Sequence, residues 1–281
     1  MSERPANFFT ELAGIPVHYD RFPEPFSYGT RGKPIKFHCT EPFEQKLHAC
    51  FQELWQVCPL GKAEVIASAG TFVDKPGQHG LGRAFDLDCI FWTDKSFVTL
   101  LFPMDRRFYL GIDAVLRKHF GTVLNFHFNA AHRDHFHIDD SAPTGFFAGH
   151  RSRVLFLQMA LTFLFESPVA IDGQIGAETN GATREVLVQS GLAGAEEVGT
   201  DGALHAKLNE VWMPFLDKAV EVGFAGLTPT PVERNPLELL ENVHDLIERE
   251  LGGHAARKRI ETALTAFVNH DATAAWLDQF R

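Results

Sequence analysis

Apolar and polar positions alternate in two rhythms through the first half of the chain. Apolar residues three or four positions apart predict a helix over residues 40–58, with Thr40 as its N-cap, and a second, amphipathic helix over residues 108–120. The positions of the first helix predicted to face the core are Leu47, Cys50, Phe51, Leu54 and Trp55. Both helices need a neighbouring layer to cover their apolar faces.

Shorter segments between and after these helices predict extended structure. Residues 63–68 predict a short buried strand, residues 84–90 and 135–139 alternate with a period of two, and residues 122–128 form an extended stretch. Because helices and strands mix without the regular order of a parallel sheet, we expect an α+β fold. It would hold a small, mostly antiparallel sheet with flanking helices.

The predicted strand over residues 84–90 carries acidic residues at alternate positions. In a regular strand Asp86 and Asp88 share one face. The opposite face is predicted to hold Phe85, Leu87 and Cys89. Asp86 is therefore expected to project from a rigid strand.

Strand patterns end near residue 150, and the second half is predicted to be all-helical. Its helical patterns cover residues 154–165, 179–189, 205–222 and 236–251, and the proline-rich stretch 227–236 predicts a connector. We expect an α+β domain over residues 1–148, a helical domain over residues 149–226 and a helical extension over residues 227–281.

Charge and composition exclude several classes of protein. The 281 residues are 45% hydrophobic and 22% charged, and the formal charge is −10. This charge opposes binding to nucleic acid, which depends on Lys and Arg. No run reaches the roughly 18 apolar residues of a membrane span. The composition is that of a folded soluble protein.

The N-terminal residues and the cysteines bear on the compartment. The first residues show no apolar run of a secretory signal, so we expect synthesis in the cytoplasm without a classical signal peptide. Four cysteines lack the paired spacing of a structural zinc site, and we expect buried thiols. One or two disulfides formed after delivery to an oxidising compartment are the alternative.

Two histidine-containing segments carry the candidate chemistry. His79 and Asp86 are separated by a glycine-rich turn that can bring both to one metal ion. Residues 132–139 concentrate imidazoles and carboxylates, which suit zinc, and His137 would be the third ligand. Three protein ligands leave a position for water, whose pKa zinc lowers toward about 7.

Hydrolysis also needs a base beside that water, and Asp134 is the candidate. In a regular strand Asp134 and His137 would point to opposite faces, so Asp134 must lie in a turn or bulge at the strand's start. His135 shares a face with His137. It can replace one of the ligands or donate to the oxyanion of the reaction.

The other polar residues of this segment have weaker assignments. His132 either orients its neighbours or contacts substrate. Asp139 and Asp140 are predicted to form a solvated strand end.

Three stretches resemble the extensin-like C-terminal family. They are His-x-x-Gly-Arg-Ala-x-Asp at residues 79–86, Phe-Gly-Thr-Val-Leu at 120–124 and Asn-Ala-Ala-His-Arg-Asp-His-Phe-His-Ile-Asp at 129–139. That family is similar to zinc peptidases of the D-alanyl-D-alanine carboxypeptidase type, among them endopeptidases of phage lysins. The resemblance implies zinc on His79, Asp86 and His137, with Asp134 as base.

One departure from the family's pattern concerns substrate binding. The family commonly carries an upstream Arg thought to steady substrate, which residues 68–75 lack. Lys75 or Arg83 would have to replace it, and a Lys ammonium cannot reproduce the two-pronged grip of Arg on a carboxylate. An endopeptidase is therefore favoured over a carboxypeptidase.

A second resemblance lies in the helical half. Residues 154–161 and 172–182 resemble the small three-helix peptidoglycan-binding domain. It implies wall contacts near Asp172, Gly173, Gly176 and Thr179, with a tight Asp-Gly turn and close backbone passage at Gly176. The alternative is a plain helical hairpin without glycan binding.

The function expected from the sequence is zinc-dependent hydrolysis of peptide bonds in peptidoglycan. The alternatives are a non-catalytic wall-binding module with a vestigial zinc site and a metal-dependent cell-wall amidase. The protein would act in the periplasm or wall of a target cell, as a phage lysin or an antibacterial effector. An effector would have a secretion-machine component or an immunity protein as partner.

Overall fold

The computed structural model describes residues 3–20, 30–93 and 95–227. The predicted connector after residue 227, the predicted helix 236–251 and the rest of the C-terminal extension lie outside the described residues. No helix within the described ranges has the length and apolar character needed to cross a bilayer.

A mostly antiparallel sheet forms the first half of the chain. The strands are β1 (Phe8–Phe9), β2 (Glu11–Leu12), β3 (Ile15–Tyr19), β4 (Lys33–Pro34), β5 (Phe37–His38), β6 (Val65–Gly70), β7 (Ala84–Phe91), β8 (Ser96–Val98), β9 (Thr122–Leu124) and β10 (Phe136–Asp139). The main sheet has the order β2-β3-β6-β7-β10-β9, with β4 on β3 and β8 on β7, while β1 pairs with β5. Only β3 and β6 run parallel among these pairs. The α+β prediction is confirmed.

Six α-helices accompany the sheet in the described ranges. They are α1 (Glu41–Val57), α2 (Arg106–His119), α3 (Arg151–Phe163), α4 (Ala177–Gln189), α5 (Asp201–Glu210) and α6 (Trp212–Gly223). The prediction of a helix after Thr40 is confirmed, and the five residues predicted to face the core are buried.

The prediction of a single helix over residues 205–222 is wrong. The chain forms α5 and α6 instead, which meet at Val211. Pro214 has no N–H for the carbonyl of Glu210, so a helix cannot run through this point undisturbed. In the first turn of a new helix the missing N–H costs no hydrogen bond.

A β-bulge changes the alternation of β7. Its pairing with β6 skips Asp88, which is the extra residue of the bulge. Beyond the bulge the two faces exchange, so Cys89 packs in a small cluster apart from the main core that holds Phe85 and Leu87. The prediction that these three share a face is wrong, because one extra residue shifts a period of two.

One hydrophobic core joins the sheet half and the helical half. It extends from Phe9 to Phe224 along the chain. At the centre lies α2, whose residues from Phe108 to Arg117 are all buried. Helices α2 and α6 approach closely at two glycines, since a Cβ on Gly223 would lie 2.7 Å from the Cα of Gly111. The division into domains stays a prediction, and a shared core connects the parts.

Candidate metal centre

Three side chains converge at the join between β7 and β10. Asp86 of β7 and His137 of β10 are directly paired across the strands, and their Oδ1 and Nδ1 atoms are 3.0 Å apart. His79 Nε2 lies 3.1 Å from each of these atoms. The structure thus brings together the three residues that the sequence predicts as ligands, in a group that can hold a metal ion.

The hydrogen bonds around this group leave its lone pairs facing one another. His79 Nδ1 lies 2.5 Å from the carbonyl oxygen of Thr71, which only accepts, so this nitrogen carries the proton. His137 Nε2 donates in the same way to the carboxylate of Asp139, at 3.0 Å. The remaining nitrogens are acceptors beside the Asp86 carboxylate. Three acceptors this close can share one metal ion, or otherwise need a proton between them.

The spacing and chemistry of these atoms suit zinc. Nitrogen and oxygen ligands about 2.0 to 2.2 Å from zinc at tetrahedral angles lie roughly 3.3 Å from one another, close to the 3.0 and 3.1 Å observed. Each imidazole is anchored through its other ring nitrogen, as metal-binding histidines usually are. The donor set therefore fits the ion that the sequence predicts.

Without a metal, protons fill the same role. Burial lowers the pKa of His137, but hydrogen bonds to Asp139 and Asp86 outweigh it and raise the pKa to about 9. Burial raises the pKa of Asp86, but hydrogen bonds from His137 and His79 hold it well below its usual range. The site is therefore built around a carboxylate that stays ionised.

A tight turn presents His79 to the strands. His79 opens the 3-10 turn His79–Leu81, and Gly82 ends it with a φ of 65°. A Cβ on Gly82 would lie 2.6 Å from Pro5 Cγ and 3.2 Å from the Cα of Cys39. Gly82 thus meets both requirements of the turn, a left-handed backbone and close passage of the N-terminal segment.

The end of β10 is buried, and the prediction of a solvated strand end is wrong. Asp139 accepts from His137 through Oδ2 and from the backbone N of Ser141 through Oδ1. The Asp140 carboxylate is 9% exposed and accepts from Arg83 Nε at 2.8 Å and Lys46 Nζ at 3.4 Å. The strand end is buried because β10 lies between β7 and β9 in the sheet, and Asp139 there holds the ring of the predicted ligand His137.

Asp134 and His135 form a pair beside the three-residue group. Asp134 lies in the bend before β10, which meets the geometric condition for its predicted role. His135 Nδ1 is 2.8 Å from Asp134 Oδ1, and His135 Nε2 is 3.7 Å from Asp86 Oδ1. Both side chains are buried. His135 thus lies next to the ligand group and is not one of its members, which are His79, Asp86 and His137.

The three side chains predicted to contact substrate have different surroundings. The ring of His132 lies near those of His135 and His137, and burial together with electrostatic repulsion from these imidazoles lowers the pKa of His132 to about 4. Its Nδ1 is 2.8 Å from Asn129 Oδ1. Arg83 is engaged by Asp140, and Lys75 lies on the exposed loop before His79.

The polar groups predicted to contact the wall are largely held by Gln158. Its Oε1 accepts from the backbone N–H groups of Asp172 and Gly173, and its Nε2 lies within reach of Asp172 Oδ1 and Thr179 Oγ1. Gly173 has a φ of 76°, as the predicted turn requires. Gly176 precedes α4, and a Cβ there would meet nothing within 4 Å, so the predicted close passage is wrong.

Two hydroxyls near the site have no counterpart in the predicted residues. Ser68 donates to the carbonyl oxygen of Asp86 at 2.7 Å, and Thr99 lies at hydrogen-bond distance from the carbonyl oxygens of Asp88 and Asp134. No local pattern marks either hydroxyl, since each acts across strands.

The role of Asp139 as partner of His137 could have been found from the sequence, because a spacing of two puts both residues on one face of a strand.

Comparison with known proteins agrees with part of the expected resemblance. The family model described as extensin-like protein C-terminus matches residues 65–147, which include the ligand group and the Asp134–His135 pair. No curated protein and no solved structure matches the chain. The resemblance to the extensin-like family is confirmed over these residues, and the similarity to zinc peptidases stays a prediction.

Proposed function

We propose that this protein is a zinc-dependent peptidoglycan hydrolase that cuts amide bonds of the stem peptides or their cross-links. The proposal rests mainly on one observation, the convergence of acceptor atoms from His79, Asp86 and His137. The buried carboxylate of Asp134 beside them supplies the base that hydrolysis needs.

Zinc held by these three residues would polarise the scissile carbonyl and lower the pKa of water. Asp134 takes a proton from the attacking water and passes it to the leaving amine as the C–N bond breaks. His135, hydrogen-bonded through Nδ1 to Asp134, presents Nε2 toward the oxyanion that forms. The burial of Asp134 and His135 keeps bulk water from competing for their hydrogen bonds.

The surroundings of Arg83 support an endopeptidase. A carboxypeptidase must bind the free carboxylate at the end of its substrate, and Arg suits that task. Arg83 already donates to the carboxylate and the backbone oxygen of Asp140. These contacts occupy Nε and one Nη, so a two-pronged grip on a substrate carboxylate through that edge of the guanidinium would have to displace Asp140, which favours an internal peptide bond as the substrate.

The helical half would hold the enzyme on the polymer, raising the local substrate concentration without changing the chemistry. Because Gln158 engages Asp172 and Thr179, we assign any wall contact to the surface of this half as a whole. The proposed site of action is the periplasm or wall of a target cell. The proposed partners, for an effector, are an immunity protein and a secretion-machine component.

Digestion of purified sacculi tests the proposal. The zinc-loaded protein, the Asp134→Ala variant and an Asp140→Asn control are incubated with sacculi, and the released muropeptides are identified by mass spectrometry. We expect peptide fragments with new amine termini from the first and third samples only. Equal release of fragments by Asp134→Ala would refute the assignment of Asp134 as the base. Products cut at the lactoyl amide would identify an amidase.

A further inference from the structure

Thr99 lies where three elements meet behind the candidate metal centre. It follows β8 directly and opens the 3-10 turn Thr99–Met104. The residue is fully buried. It lies outside the three stretches that carry the family resemblance.

The hydroxyl of Thr99 connects the two strands that carry the site. Its Oγ1 lies 2.5 Å from the carbonyl oxygen of Asp134 and 2.9 Å from that of Asp88. Asp88 is the extra residue of the β7 bulge, two positions after the ligand Asp86. Asp134 lies in the bend before β10, three positions before the ligand His137.

The ladder between β7 and β10 does not reach this bend. Its residue pairs run from Ala84 with Asp139 to Leu87 with Phe136, and they end where the bulge begins. Backbone pairing therefore does not set the distance between Asp134 and the ligand strand β7. A hydroxyl has one proton to share, and the shorter distance directs it toward the Asp134 carbonyl.

We propose that Thr99 is a positioning residue that sets the place of the Asp134 carboxylate relative to the metal ligands. This inference rests on the proposed function, in which Asp134 is the base. A base must lie within about 2.6 to 3.2 Å of the proton it takes, and a shift of about 1 Å can cost a hundredfold in rate. Removing the hydroxyl takes away this contact of the bend, while Asp134 keeps its bond with His135 and the three ligands stay in their places.

The test compares two substitutions at this position with a matched control. Thr99→Val keeps the shape and loses the hydroxyl, whereas Thr99→Ser keeps the hydroxyl. Thr183→Val is the control, since Thr183 is equally buried and its hydroxyl donates to the carbonyl of Thr179 at 2.7 Å, within α4. The measurements are kcat and KM on muropeptides, bound zinc, thermal unfolding, and the carbonyl ¹³C shift of Asp134.

For Thr99→Val we expect kcat to fall roughly tenfold to a hundredfold, with KM and bound zinc unchanged and the Asp134 carbonyl shifted upfield. Thr99→Ser and Thr183→Val should keep wild-type kcat and the wild-type carbonyl shift. Unchanged kcat in Thr99→Val would overturn the positioning role. Loss of cooperative unfolding in Thr99→Val would also overturn it, because the hydroxyl would then stabilise the whole fold and not position one residue. An inactive wild type would instead overturn the proposed function, while the carbonyl shift would still report on the contact.

Discussion

Replacing Asp139 by asparagine removes the carboxylate that holds His137 and hardly changes the volume of the side chain. Asp139 is 5% exposed, and both of its oxygens accept, Oδ2 from His137 Nε2 and Oδ1 from the backbone N of Ser141. Asparagine offers one acceptor oxygen and one NH₂ group. The NH₂ must then face either His137 or Ser141, whose backbone N–H and hydroxyl both donate to Oδ1.

Either arrangement weakens the metal centre. If the NH₂ faces His137, the imidazole turns to the tautomer with a proton on Nδ1, the atom that lies 3.0 Å from Asp86 Oδ1. If it faces Ser141, the partly buried N–H of that residue loses its acceptor, and His137 keeps a weaker, neutral partner. Loss of such a supporting partner costs tenfold to a hundredfold in metal affinity, about 1.4 to 2.7 kcal/mol.

Competition with a chromophoric zinc chelator measures this affinity directly. Asp140→Asn is the matched control, because Asp140 is the adjacent carboxylate and pairs with Arg83 and Lys46. We expect weaker zinc binding in Asp139→Asn and wild-type binding in Asp140→Asn. If both variants bind zinc within twofold of the wild type, the tautomer argument for this site is refuted.

Two further predictions concern stability and the thiols. Asp113→Ala should cost about 3 to 5 kcal/mol in urea unfolding, because it leaves the buried guanidinium of Arg117 without its 2.8 Å partner. Asp113→Leu combined with Arg117→Met should recover most of that loss, and an equal loss in both proteins would contradict the account. All four cysteines are free and buried, and burial raises the pKa of Cys39 to about 12 and of Cys58 to about 11. A chromogenic disulfide reagent should therefore detect no thiol in the native protein and four after denaturation, and fewer than four would indicate a disulfide.

Local sequence determined the elements with strong periodicity. The helix after Thr40 begins within one residue of its predicted start. Its apolar stripe and the proline in its first turn, Pro42, both act over neighbouring residues. The ligand set was also visible, since a glycine-rich turn before one strand and an imidazole in another are local features. Predicted strands over residues 63–68, 84–90 and 135–139 lie within two residues of β6, β7 and β10.

Tertiary structure decided what depends on register and on distant partners. The bulge at Asp88 arises from pairing with β6, so no alternation within β7 could reveal it. Arg83 and Asp140 meet across 57 positions of sequence, and Thr99 reaches Asp134 across 35. Such contacts are fixed by how strands align and layers pack, and the residue types at either end do not encode that alignment. The residues that form the candidate centre were therefore readable along the chain, whereas the residues that hold them in place emerged only from packing.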